Sequence, residues 1–361
     1  MTSKTSKTNT KATTDFEREI REQPECLARL LSTRPAFESV ARAIRAFAPR
    51  FVVTVARGSS DNAARYAKYL FGARNRLVVS LGAPSLLTLY GSAPDLQGAL
   101  VIGISQSGAS PDITALLREA QRQGACTLAL TNTPNSPLAK AATHVLPLGV
   151  GREHSVAATK SYTAQLLALA MLSASLSGEP SDWAAIGAVP QAVEETIRQN
   201  PTTQVATLAA EFVETTRMLV VGRGFNFCTA FEIGLKLKET AYISAESYAT
   251  PDLMHGPIAV VDTTVPAILL AAQGPTLAEL IPLAEELRAR QCPIVIVSNQ
   301  ESAFRDLTPR EHILTFSNGI AEWLSPIAAV VPGQLFASAV ASARNLNPDF
   351  PRGLAKITKT R

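Results

Sequence analysis

Two short hydroxyl-rich segments in the first half of the sequence have the composition of an anion-binding site. RGSS (residues 57–60) and SQSGAS (residues 105–110) each follow an apolar run typical of a buried strand. Small residues let the backbone approach an anion, and serine hydroxyls add donors to the free N–H groups of a helix N-terminus. For one such loop alone, N-capping of the next helix by serine is the simpler explanation. Two of them on neighbouring strands favour a phosphate site, although the GxxxxGK[ST] pattern of a nucleotide triphosphate site is absent.

Three charged residues, Glu232, Lys236 and Glu239, are spaced i, i+4 and i+7 in the helical pattern AFEIGLKLKETAYI and therefore share one face. A solvated stripe of Glu–Lys pairs is the ordinary explanation of this spacing. A carboxylate held beside a lysine in a cleft is instead the arrangement of a general base. Because the rest of this helix is apolar, both interpretations stay open.

Two further residues lie in segments rich in glycine and proline. His255, in TPDLMHGPIAVV, is either a structural histidine or a group placed for proton transfer near neutral pH. Lys356 lies in NPDFPRGLAKITKTR, where most lysines would be solvated, but the prolines and apolar residues indicate a docked segment. A docked lysine could form a Schiff base or stabilise an oxyanion. No cluster of His, Cys and Asp suggests a metal, and we expect no cofactor.

The surrounding pattern predicts the scaffold for these residues. Short apolar runs such as FVVTVA, ALVIGIS and CTLALTN alternate with helical patterns, which is typical of a parallel sheet covered by helices on both faces. The plan then repeats, because Gly58 matches Gly224 and Gly108 matches Gly274, both at an offset of 166 positions. We interpret this as a tandem duplication of one α/β domain.

The repeat predicts how the chain is divided. We expect a disordered tail (residues 1–14), an N-terminal helical segment (15–50), a first domain (51–180), a helical linker (181–214), a second domain (215–345) and a C-terminal active-site segment (346–361). The second repeat has AAQGP where the first has SQSGA. Only the first repeat is therefore expected to hold an anion.

Charge and composition exclude other classes of function. The net charge of +4 owes much to three lysines in the first eleven residues, so no nucleic-acid partner is expected. The longest apolar stretches are too short to cross a membrane or are interrupted at Pro332-Gly333, and no secretory signal is evident. The four separated cysteines lack a CxxC pattern, which predicts reduced thiols and a cytoplasmic protein.

Together with VAATK (residues 156–160) and GLKLKETAYISAESY, the two loops resemble the sugar isomerase (SIS) family over about residues 16–361. The resemblance implies two tandem SIS domains, each a mostly parallel sheet flanked by helices in a flavodoxin-like three-layer sandwich. The two domains in tandem resemble the isomerase half of glucosamine-6-phosphate synthase. GAS (residues 108–110) departs from the usual Gly-Glu-Thr of that synthase but keeps the last hydroxyl.

The resemblance also implies roles for individual residues. Glu239 matches the enolisation base, and His255 matches the ring-opening acid–base, which the neighbouring subunit of a homodimer contributes. Glu232 and Lys236 match residues around the sugar, and Lys356 matches a lysine of the C-terminal loop. Val156 and Ala158 would line the sugar pocket, and the phosphate would be held by a polar set: Ser59, Ser60, Ser105, Gln106, Ser107 and Ser110.

The related synthase carries an N-terminal glutaminase with cysteine as its second residue, whereas this sequence has Thr2 and about fifty residues before its first strand. We therefore expect an isomerase core resembling the alternative type of glucosamine-6-phosphate deaminase, which would convert glucosamine 6-phosphate to fructose 6-phosphate and ammonia. Other 6-phosphosugars, such as galactosamine 6-phosphate or fructosamine 6-phosphate, remain open as substrates. Two other functions also remain open: an aminotransferase-like isomerase without glutaminase, and a non-catalytic phosphosugar sensor.

Overall fold

Two five-stranded sheets organise the chain, which the computed structural model describes over residues 13–356. The predicted tail therefore lies almost wholly outside the described residues. The first sheet contains β1 (Phe51–Val55), β2 (Val79–Leu81), β3 (Ala99–Ile104), β4 (Cys126–Thr131) and β5 (His144–Pro147). The second contains β6 (Arg217–Gly222), β7 (Ser244–Tyr248), β8 (Ala267–Ala271), β9 (Ile294–Ser298) and β10 (Ile313–Thr315).

The two sheets have the same strand order. It is β2-β1-β3-β4-β5 in the first sheet and β7-β6-β8-β9-β10 in the second, and every pairing is parallel. This is the order of flavodoxin-like doubly wound sheets, whose ligands bind where the chain changes direction between the first and third strands. The predicted α/β fold and its tandem repeat are confirmed.

Helices cover both sheets. The helices that precede or accompany the first sheet are α1 (Asp15–Arg21), α2 (Gln23–Leu31), α3 (Arg34–Phe47), α4 (Ser59–Asn75), α5 (Ser85–Thr88), α6 (Pro111–Arg122), α7 (Pro137–Lys140) and α8 (Lys160–Ser177). They are followed by α9 (Pro180–Gly187), α10 (Val189–Gln199), α11 (Thr202–Ala210), α12 (Phe227–Ala241), α13 (Thr250–Met254), α14 (Leu277–Ala289) and α15 (Ser325–Ala343).

One large apolar core is shared by the two repeats. Helices α8 and α15 are buried on nearly all sides within it. The helices of the predicted linker also contribute, since Val193 of α10 and Leu208 of α11 are fully buried in the same cluster. Because α4 of the first repeat packs on α12 of the second, side chains from both repeats meet at their junction.

Helix α15 passes without interruption through Pro332, so the break predicted at Pro332-Gly333 is wrong. The segment Glu322–Ala343 is long and apolar enough to cross a membrane, but 94% of its most apolar window is buried inside the fold, as in a core helix. A Cβ atom added at Gly333 would overlap the side chain of Ile233 on α12. This close approach fixes the helix that carries the three charged residues.

Candidate functional site

A cavity of about 200 Å³ lies where the chain changes direction between β1 and β3. The loops after these two strands form one side, the loop before α8 forms another, and the C-terminal segment covers it. The cavity is lined by all eight predicted binding residues: Ser59, Ser60, Ser105, Gln106, Ser107, Ser110, Val156 and Ala158. Glu239 and Lys356 border the same cavity.

The loop after β3 is shaped by its own serines. Ser105 Oγ accepts a hydrogen bond from the Gly108 N–H at 3.1 Å, and Ser107 Oγ accepts one from the Ala109 N–H at 3.3 Å. Gly108 has φ +63°, a conformation that favours glycine. Ser110 is the N-cap of α6, but its side chain makes no capping hydrogen bond. The simple capping explanation is therefore wrong for this helix, and the hydroxyls remain free to donate.

The loop after β1 is tied to two buried polar side chains. Gln165 of α8 donates from Nε2 to Ser60 Oγ at 2.9 Å, and Lys236 of α12 donates from Nζ to Ser59 Oγ at 3.2 Å. Both hydroxyl oxygens accept these bonds. The Ser59 hydroxyl also hydrogen-bonds the buried carboxylate of Glu232, which acts to lower the pKa of that acid, so the Ser60 O–H proton is the one left for another acceptor. Gln165 lines the cavity, and its Oε1 is buried without a hydrogen-bond partner among the described residues.

The electrostatic field of the cavity comes more from neutral donors than from unpaired cations. The N-termini of α4 and α6 begin at its two serine loops and add partial positive charge. Arg57 lies beside them, but its guanidinium is paired with the buried carboxylate of Asp112 at 2.8 Å. A phosphate in this position would meet N–H groups, hydroxyls and two helix N-termini.

The three charged residues of α12 are not a solvated stripe. Glu232 and Lys236 are completely buried, and Glu239 is 22% exposed at the cavity. Lys236 Nζ lies 2.6 Å from Glu239 Oε2 and 3.3 Å from Glu232 Oε1. Asn62 of α4 donates to Glu232 Oε2 at 2.8 Å, which joins the two repeats. Neither Glu232 nor Lys236 lines the cavity.

Burial and charge pairing shift the pKa values of Lys236 and Glu232 in opposite directions. Burial alone would lower the pKa of Lys236, but the carboxylates of Glu232 and Glu239 outweigh it and raise that pKa above its usual range. Burial also raises the pKa of Glu232, opposed by Lys236 and by the hydrogen bond from Asn62. The lysine is thus held as a cation, and Glu239 is oriented toward the cavity beside it.

His255 lies away from this cavity in the single chain. It follows α13 and is exposed; its backbone N–H donates to the Pro251 carbonyl, but its imidazole makes no hydrogen bond with the residues described. Met254 and Val260 near it are 48% and 47% exposed, which leaves apolar surface around the imidazole. Within residues 13–356 of one chain, His255 is not among the residues that line the cavity with Glu239.

Lys356 is docked at the cavity by a residue that the sequence analysis did not identify. Its Nζ lies 2.7 Å from Oε2 of Glu153 and donates to the Ser155 carbonyl at 2.7 Å. The Glu153 carboxylate is completely buried. Burial alone would raise its pKa, but Lys356 and the N–H groups of Ser161 and Thr159 outweigh that effect and lower it.

Gln165 and Glu153 are the functional candidates that sequence reasoning missed. Gln165 had a usable signal, because an amide in the otherwise apolar, buried pattern of α8 requires polar partners. Glu153 had none, since one acid in a glycine-containing loop is ordinary until the fold buries it. Among the described residues, no group of three or more His, Cys, Asp or Glu side chains could hold a metal ion.

Comparison with known proteins assigns the family. The SIS domain profile matches residues 49–175 and 211–342, which are the two halves that carry the two sheets. The chain belongs to the SIS domain family. Both SIS domains have five parallel strands; the loops of the first form most of the cavity, and Glu239 of the second and the C-terminal segment complete it.

The relatives of this SIS protein include sugar-phosphate enzymes. It is 35% identical over 353 residues to a glutamine–fructose-6-phosphate aminotransferase of Bradyrhizobium diazoefficiens, which covers 94% of this chain and 58% of that protein. A Silicibacter pomeroyi structure, proposed to be a phosphosugar isomerase, is 33% identical with a TM-score of 0.83 over 93% of this chain and all of that one. The glucosamine-6-phosphate deaminase of Thermotoga maritima shares the fold alone, at 20% identity and a TM-score of 0.76 over 96% of this chain and all of that one.

The length of the match matters for what these relatives imply. The chain spans 58% of the Bradyrhizobium aminotransferase and all of the Silicibacter structure. It therefore corresponds to the isomerase part of the larger enzyme and not to the whole protein.

Proposed function

We propose that this protein deaminates and isomerises glucosamine 6-phosphate, giving fructose 6-phosphate and ammonia. One observation carries the proposal: the Glu239 carboxylate and both serine loops border one cavity, and Lys236 contacts Glu239 and Ser59 together. A phosphate held by the loops would thus anchor a sugar whose other end reaches a positioned base. Geometry of this kind serves proton transfer next to a carbonyl.

The reaction can be written with the residues present. After the pyranose opens, Glu239 removes the proton from C2, the electrons of that C–H bond form the C1–C2 double bond, and the π electrons of the C1 aldehyde move to O1, which takes up a proton to give an enolamine. Glu239 then returns its proton to C1, where the C1–C2 π electrons form the new C–H bond while the nitrogen lone pair forms a protonated imine at C2. Water adds to the imine carbon and ammonia leaves, so that a C2 ketone remains. Lys236, a buried cation 2.6 Å from Glu239, stabilises the carboxylate when it is ionised.

Ring opening requires a second acid–base group, and we assign it to His255 of a neighbouring subunit. Within one chain His255 is exposed and outside the cavity, while the surface around it is apolar. An exposed histidine within an apolar surface is suited to an interface where it completes another subunit's site. The proposed active form is therefore a homodimer.

Location and substrate class follow from the same chemistry. All four cysteines are free and buried, as expected of reduced thiols in the cytoplasm. Val156 and Ala158 provide a small apolar wall, and the partnerless Oε1 of Gln165 would accept a sugar hydroxyl. A hexose 6-phosphate has the phosphate, hydroxyls and short carbon chain that such a cavity requires.

An ammonia-release assay on a panel of amino-sugar 6-phosphates tests the proposal. We expect ammonia and fructose 6-phosphate from glucosamine 6-phosphate, and a loss of about 10²–10⁴-fold in kcat for Glu239→Gln, because proton transfer contributes that much. Glu246→Gln, an exposed carboxylate of β7, is the matched control.

Other outcomes would identify the alternatives. Ammonia from galactosamine 6-phosphate or fructosamine 6-phosphate alone would change the substrate. Net formation of glucosamine 6-phosphate from fructose 6-phosphate and ammonia, with little of the reverse reaction, would indicate the aminotransferase-like isomerase. Tight binding of a sugar phosphate without turnover of any would indicate a sensor, and undiminished turnover by Glu239→Gln would overturn its role as the base.

A further inference from the structure

The C-terminal segment is held in place at three separate points. Asp349 accepts hydrogen bonds from the N–H groups of Asp15 and Phe16 at the start of α1, at 2.9 and 2.7 Å. The Arg352 N–H donates to the Tyr242 hydroxyl at 2.7 Å, and the Arg352 guanidinium stacks on the Tyr242 ring. The third point is the ion pair of Lys356 with Glu153, which is the one that lies at the cavity.

Hydrogen bonds from residues other than Lys356 also hold the carboxylate of Glu153 in position. Its Oε1 accepts from the N–H groups of Thr159 and Ser161 at 3.0 Å each, and its Oε2 accepts from Ser161 Oγ at 2.7 Å. Thr159 and Ser161 lie at the N-terminus of α8, where a carboxylate is electrostatically favoured. The same hydrogen bonds close the loop that presents Val156 and Ala158 to the cavity.

We infer that Glu153 is the positioning residue that closes the C-terminal segment over the active site, acting through Lys356. The inference rests on the proposed function only for its kinetic consequence. The ammonium form of Lys356 that pairs with Glu153 has no free electron pair, so the docked lysine serves as a cationic cover and not as a nucleophile. Leu354 and Ala355 are carried to the cavity wall by the same contact.

The structure distinguishes this role from simple core packing. The carboxylate of Glu153 accepts hydrogen bonds both from the loop that lines the proposed sugar pocket and from Lys356, which covers that pocket. Removing its charge while keeping its shape should leave the loop hydrogen bonds to Oε1. At the other position the Ser161 hydroxyl can rotate and accept from the new amide, whereas the Lys356 ammonium has only donors and loses its contact. Glu153→Gln makes this separation. Glu119→Gln, a partly buried carboxylate of α6 that pairs with Arg122 away from the cavity, is the matched control.

The first measurement needs no substrate. Trypsin cleaves after Arg352, and mass spectrometry follows the loss of the residues beyond it. We expect cleavage of Glu153→Gln to be about tenfold faster or more than that of the wild-type protein and of Glu119→Gln, because a hydrogen-bonded ion pair at a buried carboxylate is lost. Equal cleavage rates in all three proteins would overturn the inference, whatever reaction the protein catalyses.

A double-mutant cycle with glucosamine 6-phosphate completes the test. If Glu153 acts through Lys356, Glu153→Gln lowers kcat/KM by about tenfold in the wild-type background and changes it little in a Lys356→Gln background. Equal losses in both backgrounds would assign Glu153 a purely structural role and overturn the inference. Should no panel substrate turn over, the proposed function fails while the trypsin result still decides on the position of the segment.

Discussion

Lys236 Nζ lies 2.6 Å from Glu239 Oε2 at the inner wall of the cavity, although the lysine side chain has no exposed surface. The second carboxylate at this nitrogen, Glu232 at 3.3 Å, is buried just as completely. Two acids therefore share one buried cation, and only one of them reaches the cavity. The spacing of these residues on one helix orders them from the core to the cavity, which gives the carboxylate of Glu239, the proposed base, a fixed direction beside a buried cation.

Lys236→Met is expected to destabilise the protein by about 3–5 kcal/mol, because it leaves the Glu232 charge buried without its cation. Lys238→Met is the matched control, since Lys238 is two positions away on the same helix and exposed; its free energy of unfolding should change by less than about 0.5 kcal/mol. Urea unfolding of the two variants measures the difference. Equal changes would show that the buried ion pairs contribute nothing specific.

Gly108→Ala is expected to weaken sugar-phosphate binding strongly. A Cβ at Gly108 would overlap the Ser136 side chain, and its φ of +63° disfavours any other residue. The serine loop must then move, so KM for the phosphorylated substrate should rise by about tenfold or more with a smaller change in kcat.

Gly124→Ala distinguishes steric overlap from backbone strain as the cause of the expected rise in KM. Gly124 has a similar φ of +79°, but nothing lies within 4 Å of an added Cβ, so the variant introduces the backbone strain without the overlap. Its unfolding free energy should fall by about 1 kcal/mol while KM stays near the wild-type value. A KM change as large as that of Gly108→Ala would contradict the assignment of residues 105–110 as the phosphate loop.

The fold could be predicted from the sequence because most strands are buried on both faces. The central strands β1, β3, β4, β6, β8 and β9 are continuous apolar runs, and their repetition at one offset showed the duplication. The edge strand β7 has no such signal: Ala245 is buried between the exposed Ser244 and Glu246. An edge strand is paired on one side only and is partly exposed, so it does not need a continuous apolar sequence and is harder to recognise.

The serine loops could be predicted for a similar reason. Their chemistry is contained in contiguous residues that follow a strand, and the parallel sheet brings both loops to one edge. Glu153 could not be predicted, since its function depends on Lys356, which is 203 positions away in the sequence. The burial that separates Glu232 from Glu239 likewise comes from packing of α12 against α4 and α15, and not from the helix itself.

The stability that Glu153 contributes should depend on pH in a defined direction. Its pKa is lowered by Lys356 and by backbone donors despite burial, from an ordinary value of 4.5. A lowered pKa in the folded state gives stability that is present above about pH 4.5 and is lost as the pH falls through the folded value. The difference in unfolding free energy between the wild-type protein and Glu153→Gln should therefore narrow below pH 4.5.

Urea unfolding at pH 7, 5, 4 and 3 measures this narrowing, with the largest change expected at the two lowest values. Glu19, whose pKa is raised mainly by burial, lies close enough to Glu153 to interact electrostatically and titrates in both proteins. Comparing the two proteins at each pH largely removes its contribution. A difference that is constant over this range would mean that the charge of Glu153 does not hold the C-terminal segment.

Mixed dimers test whether His255 completes the site of a partner. Glu239→Gln and His255→Asn should each be nearly inactive alone, because each active site would lack one of its two proton-transfer groups. If Glu239 and His255 of one site come from different chains, a dimer with one copy of each variant contains one intact site and one doubly defective site. Equal mixing with subunit exchange makes about half of the dimers mixed, so activity should recover to roughly a quarter of the wild-type value. Each variant mixed with itself is the control, and a mixture that stays inactive although exchange is demonstrated would place both groups in the same chain.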